Sequence, residues 1–221
     1  MRLTKIIDRA TAAPARLKRL GRETRATVII EMAFAVPLLV LLGFGGLEMA
    51  YLTLANTRIS QIGLSAADNA SRVAAGASLS LPQIRELDIN EVFTGVEEQA
   101  EGLDFKKHGR IILSSLERNP EGGQWIHWQR CYGDLKVTSS YGLEGTGATG
   151  TAFKGMGPKD REVTAAAGTA VMFVEIVYEY QPLAFGKWLG PRTIRSTAAF
   201  NIRESRDLAK VYGPGAKSAC T

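Results

Sequence analysis

Residues Thr27 to Asn56 read TVIIEMAFAVPLLVLLGFGGLEMAYLTLAN and include no Lys, Arg or Asp. Met32 to Leu47 are sixteen consecutive uncharged, mainly apolar residues. Continued to Leu54, the run reaches about 23 residues, enough at ~1.5 Å per residue to cross a ~30 Å hydrocarbon core. The stretch therefore reads as a transmembrane helix over 27–56. Two alternatives compete with it. The core helix of a soluble protein rarely keeps every face apolar over such a length. A cleaved secretory signal needs an apolar core of about 7 to 15 residues followed by a small-x-small site. After Leu54 the chain offers only imperfect candidates for that site, around Ala66, Ala67 and Ala70.

Charge orients the helix. The whole chain has 27 Lys and Arg against 22 Asp and Glu, a net of +5. Residues 1–26 hold Arg2, Lys5, Arg9, Arg16, Lys18, Arg19, Arg22 and Arg25 against Asp8 and Glu23, and so carry more than the whole excess. A basic flank beside a membrane helix keeps that terminus in the cytoplasm. Residues 1–26 thus read as a basic cytoplasmic leader, with Ile6, Ile7 and Ala10 on one side before Pro14. The remainder is nearly neutral, which argues against nucleic-acid binding by the outer part.

Two carboxylates interrupt the apolar run. Glu48 lies near its end, where an outer headgroup layer would accommodate it. Glu31 is flanked by Val28, Ile29 and Ile30 and by Met32, Ala33 and Phe34. A charge kept beside hydrocarbon costs at least ~2.5 kcal/mol at a helix centre, less toward the ends, and normally has a partner. Pro37 removes one helical hydrogen bond, and Gly43, Gly45 and Gly46 form a small-residue face suited to close helix packing.

Past the apolar run the helical period persists. Leu52, Ala55, Ile59, Ile62, Ala66, Ala70 and Val73 recur every three or four residues, predicting one helix to about Ala75. A second helix is expected after GASLSLP, with Ser80 and Gln83 as a capping box, Ile84, Leu87, Val92, Val96 and Ala100 on its apolar side and Gly102 as its end. The rest reads as strands at Gly109–Arg118, Gln124–Arg130, Leu135–Tyr141, Ala170–Tyr180 and Arg192–Arg203, with NPEGG as the first hairpin turn. Trp125 and Trp128 have opposite parity, so at most one faces a core. Gly142 to Asp160, rich in Gly and Thr, reads as a mobile partner-facing loop or as plain disorder, and it lacks the Gly-Lys-Ser/Thr ending of a phosphate loop. The fold class is α+β, a long N-terminal helix on about five antiparallel strands. The segments are a leader (1–26), a transmembrane helix (27–56), its outer continuation (57–78) and an outer α+β domain (79–221).

Cys131 and Cys220 are the only cysteines and both fall on the outer side. An even count in an oxidising compartment points to a disulfide, with two unrelated thiols as the alternative. Neither cysteine forms a ligand-pair spacing with His108 or His127, so no metal site is expected. No cofactor motif and no nucleophile–base constellation stands out, and the chain does not read as an enzyme.

Counting back from Glu31 as a fifth residue makes Thr27 the first and Ala26 the residue before it, preceded by RLKRLGRETR. In this pattern the chain resembles the type IV pilin superfamily. The run RATVIIEMAFAVPLLVLLGFGGLEMAY is similar in particular to TadE/TadG-like minor pseudopilins of Tad (tight adherence) pilus systems. GGQWIHWQRC (Gly122 to Cys131), VYEYQPL (Val177 to Leu183) and AAFNIRESRDL (Ala198 to Leu208) extend the resemblance. It implies a pilin-like fold in the bacterial inner membrane, with a periplasmic C-terminal domain. It also implies cleavage between Ala26 and Thr27 by a prepilin peptidase, and partners among other pilins, pseudopilins and the Tad inner-membrane assembly platform. Glu31 would pair with the Thr27 amine of a neighbouring copy. One departure stands out: the residue before the cut is usually Gly and here is Ala26. The alternative is an unprocessed, membrane-anchored periplasmic scaffold or assembly factor.

Overall fold

The computed structural model describes residues 24–74, 81–183, 186 and 190–220. The leader expected over 1–26 lies outside them except for the backbone of its last three residues. Two units are separated after Met49. The helix α1, Thr24–Arg72, is continuous through that point and includes Pro37.

In the first unit every described side chain from Thr27 to Phe44 is exposed. The most apolar window of α1 has a mean hydropathy of 2.3 and none of it is buried. This segment is therefore not the core helix of the domain that follows.

The second unit is an α+β domain. After α1 come β1 (Gln83–Arg85), α2 (Glu86–Gln99), the single turn α3 (Phe105–His108), β2 (Gly109–Arg118), β3 (Gln124–Tyr132), β4 (Ala170–Tyr180), β5 (Arg192–Asn201) and β6 (Asp207–Tyr212). Strands β2 to β5 form an antiparallel sheet in the order β3-β2-β4-β5, while β1 and β6 pair in parallel as a separate ribbon.

One sheet face is covered by the outer half of α1 and by α2. Ala55, Ile59, Ile62, Ala66 and Ala70 of α1 and Ile89, Val92, Phe93 and Val96 of α2 pack with Ile111, Leu113, Trp128, Met172, Val174 and Ile176. The three-to-four spacing of α1 and the alternation of β4 thus meet as one dry layer. Gly63 sits where α1 crosses the sheet, and a Cβ there would touch Ile176 and Ser196 at 3.5 and 3.7 Å.

Several expectations need correction. The second helix begins at Glu86 rather than near Ser80, because Gln83–Arg85 is drawn into the ribbon with β6 and Asp207 N–H donates to the Pro82 carbonyl. Asp88 makes the helix start instead, accepting from the backbone and guanidinium of Arg85. Leu87, expected on the apolar side, is exposed. The outer helix ends at Arg72, short of the expected 75, where Arg203 N–H bonds to the Ser71 carbonyl and the Arg206 guanidinium to those of Ala70 and Val73.

Leu135–Tyr141 is not a strand, so the sheet has four strands and is no meander. The slot beside β3 is already filled. Cys131 N–H donates to the Ser218 carbonyl, Gln129 N–H to the Glu144 carboxylate, and Ile126 exchanges backbone bonds with Gly145 and Thr146. Ser140 instead meets the sheet face, giving its N–H and hydroxyl to the buried Glu175 carboxylate.

The Gly142 to Asp160 loop is packed rather than loose. Phe153 and Met156 join Leu116, Ile126, Val171 and Phe173 in a second apolar cluster, with Met156 fully buried and bridged to Val163. Asn119 fastens the same loop by donating to the carbonyls of Gly147 and Gly150. Gly147 itself (φ +78°) lies so close to the Gln124 carbonyl that no Cβ fits.

Candidate membrane and assembly helix

Among the described residues, nothing buries the apolar half of α1 from Thr27 to Phe44. Ile29, Phe34, Leu39 and Leu42 are 65 to 78% exposed, and Val28, Ile30 and Met32 around Glu31 are more than half exposed. Glu31 is exposed on this apolar surface. The Ala26–Thr27 bond lies in the first turn of the helix, one turn before Glu31. Cβ atoms placed on Gly43, Gly45 and Gly46 would meet nothing within 4 Å. Packing among the described residues therefore gives no reason for glycine at these positions. Glu48, expected near the outer headgroups, is buried within the protein at 2% exposure.

On the domain, Cys131 and Cys220 form a disulfide spanning 89 residues of sequence. The tail leading to it is held independently. Leu87 N–H donates to the Pro214 carbonyl, and Asn90 bonds to the Ala216 carbonyl and the Ser218 hydroxyl. Next to it Arg130 is buried over the Trp128 ring and gripped by Glu86, with Nε–Oε2 at 2.8 Å and Nη2–Oε1 at 2.5 Å. At the other end of the sheet Arg206 is buried on the last turn of α1 with Nη2 on the Met172 sulfur. Burial pulls its guanidinium down to about 10, against the opposing pull of Glu117. A cation at a helix C-terminus is favourably placed against the helix dipole.

One polar cluster escaped the sequence reading. Ser115 Oγ donates to Glu117 Oε1 at 2.7 Å, Glu117 Oε2 lies 2.9 Å from His127 Nδ1, and the His127 ring stacks on Trp125. The only signal in the sequence was the i, i+2 placement of Ser115 and Glu117 on one strand face. The shift in β2–β3 register between Ser115 and Leu116, which brings His127 in, leaves no such signal. The carboxylate lies between serine and histidine, and Ser115 is fully buried, so the imidazole does not reach the hydroxyl as a relay would require. Among the described residues no group of three or more His, Cys, Asp or Glu could hold a metal ion.

An exposed, continuous apolar helix joined to a disulfide-closed α+β domain defines a class: a domain carried on one candidate membrane-spanning helix near its N-terminus, compatible with single-pass attachment. No protein family, curated protein or solved structure matches the chain.

Proposed function

We propose that the chain is a non-enzymatic, pilin-like assembly protein, a minor pseudopilin of a Tad-type pilus held in the bacterial inner membrane. Its N-terminus is cytoplasmic and its α+β domain periplasmic. The observation that carries this reading is Glu31, a lone carboxylate exposed on an apolar helical surface four residues after Thr27. A charge so placed requires a partner once lipid or other helices cover it. The free amine created at Thr27 of a neighbouring copy by cleavage after Ala26 supplies one of opposite sign. Gly43, Gly45 and Gly46, which meet nothing among the described residues, provide the surface for close helix approach.

A second reading, an unprocessed membrane-anchored scaffold, is favoured by one observation: helix α1 runs through the Ala26–Thr27 bond without a break, and Ala26 stands where prepilins usually have Gly. Intact mass and N-terminal sequence from host membranes, with and without the host's prepilin peptidase, separate the two. A peptidase-dependent start at Thr27 supports the pseudopilin. An unaltered Met1 start in both strains overturns it in favour of the scaffold.

A further inference from the structure

The two edges of the main sheet are treated in opposite ways. Two segments cover the β3 edge: the disulfide-bonded tail and residues 144–146, through the Glu144 carboxylate and the Gly145 and Thr146 backbone. The other edge is β5. Ile202 N–H donates to the Ala170 carbonyl, and β4 and β5 stay in register from Val171↔Asn201 to Tyr180↔Arg192. Antiparallel pairs alternate between bonded and non-bonded, so the backbone groups of Thr193, Arg195, Thr197, Ala199 and Asn201 point away from β4. Among the described residues they bond to no other segment. The strand is ten residues long and carries neither proline nor a bulge, the usual protections of an open edge.

A row of alternating N–H and C=O groups at strand spacing matches one kind of ligand, an extended polypeptide. Its charge is set by the strand. Strand β5 contains Arg192 and Arg195 and no acid, while Arg203 beyond its end is already paired with Asp68 at 2.7 Å. Arg195 is half exposed, 3.6 Å from Glu175 and bonded to Ser140, so Arg192, without an ion pair among the described residues, is the freer of the two cations. We propose that the β5 edge is a docking site for an extended acidic segment of a different protein, added as a fifth strand.

A second copy of this chain fits poorly. Tyr51 of α1 packs on Tyr180, and Ala70 lies by Arg206 and Met172, so the outer half of α1 runs parallel to β5. Antiparallel β5–β5 pairing in one sheet would turn the two α1 helices in opposite directions, which one bilayer forbids on the single-pass reading. Symmetric parallel pairing fails on the ladder, because each bonded residue must sit opposite one whose groups face away.

The test is residue-resolved amide hydrogen exchange of the purified full chain in detergent micelles. The probes are a peptide of about ten residues alternating threonine and glutamate, matching β5 in length, and its threonine–lysine counterpart. In the free chain the five outward amides exchange fast while those of Ser196 and Ala198 are protected. The glutamate peptide slows the five by ~10-fold or more and the lysine peptide does not. Thr197→Pro, which removes an outward N–H and no ladder bond, abolishes the effect while core amides on β4 stay protected. Should that variant unfold, Arg192→Glu tests the charge preference alone. The proposal is overturned if the five amides are already slow in dilute chain, if protection grows with chain concentration without peptide, or if the two peptides act alike or not at all.

Discussion

The guanidinium of Arg130 and the carboxylate of Glu86 meet inside the domain, 44 residues apart in sequence, at the joint between α2, β3 and the C-terminal tail. Neither group has enough water to stand alone. Glu86→Ala leaves a buried cation with only the half-exposed Glu144 beside it, and is expected to cost about 3 to 5 kcal/mol. Replacing both residues by apolar ones of similar volume costs far less. Denaturant unfolding of the full chain in micelles, with the disulfide intact, measures both.

Acid sensitivity has its own signature. Arg85 holds the Asp88 carboxyl below its ordinary value. Arg72 does so for Asp68, and Tyr212 for Asp207. Glu144 is also lowered, burial being outweighed by the Gln129 N–H and by Lys217 and Arg130. A carboxyl depressed on folding stabilises the fold above its unfolded value, about 4, and loses that contribution as pH falls through the lower folded value. Through these carboxyls, stability is expected to be level between pH ~5 and ~8 and to fall below ~4. Asp88→Asn should flatten part of that fall, read as midpoint against pH.

Asn119 ties the hairpin turn to the packed loop, accepting from Gly123 N–H and donating to Gly147 and Gly150. Asn119→Ala leaves three backbone groups without this partner, at an expected ~1 to 3 kcal/mol. Amides of 145–156 should exchange faster, while those of β4 keep their relative protection.

Removing the disulfide opens a loop of 89 residues. Cys131→Ser with Cys220→Ser is expected to lower stability by about 4 to 5 kcal/mol in the chain-entropy account. The bonds from Asn90 and Leu87 keep the tail docked in the folded state. The loss should therefore appear in unfolding midpoints more than in native-state exchange at Ser218.

On the proposed pseudopilin reading, Glu31→Leu enters the membrane normally but fails to support pilus formation. Membrane fractionation and electron microscopy of the same strain check it, and normal piliation would remove the pairing role from Glu31.

Long alternating runs were the most legible parts of the fold. The bounds of β2 and β4 follow from their sequences, and β3 extends the expected strand by two residues. The α1 stripe was readable because each of its buried positions serves one sheet face. Edge competition was not. Leu135–Tyr141 has strand-like residues, but the place beside β3 goes to Ser218, Glu144 and Thr146, which are remote or lie in an irregular loop. Glycine content concealed the order of residues 142–160, although Phe153 and Met156 were the visible sign that this loop has a core to fill. Of the candidate assembly segment, the apolar exposure of Thr27 to Phe44 was legible, whereas the burial of Glu48 was not, because nothing in its neighbours marks it.

The covering of β3 by Ser218 also sets an order in time. The tail that seals this edge is locked by a cysteine 89 residues after its partner in β3, so the strand emerges from the ribosome well before its cover. Until that cover arrives, the β3 edge is held only at Ile126 and Gln129, by residues 144–146. A chain clipped before Ser218 would keep a correctly formed core and yet present the backbone at Cys131 as open, adhesive strand, so the tail acts as the last seal on the sheet.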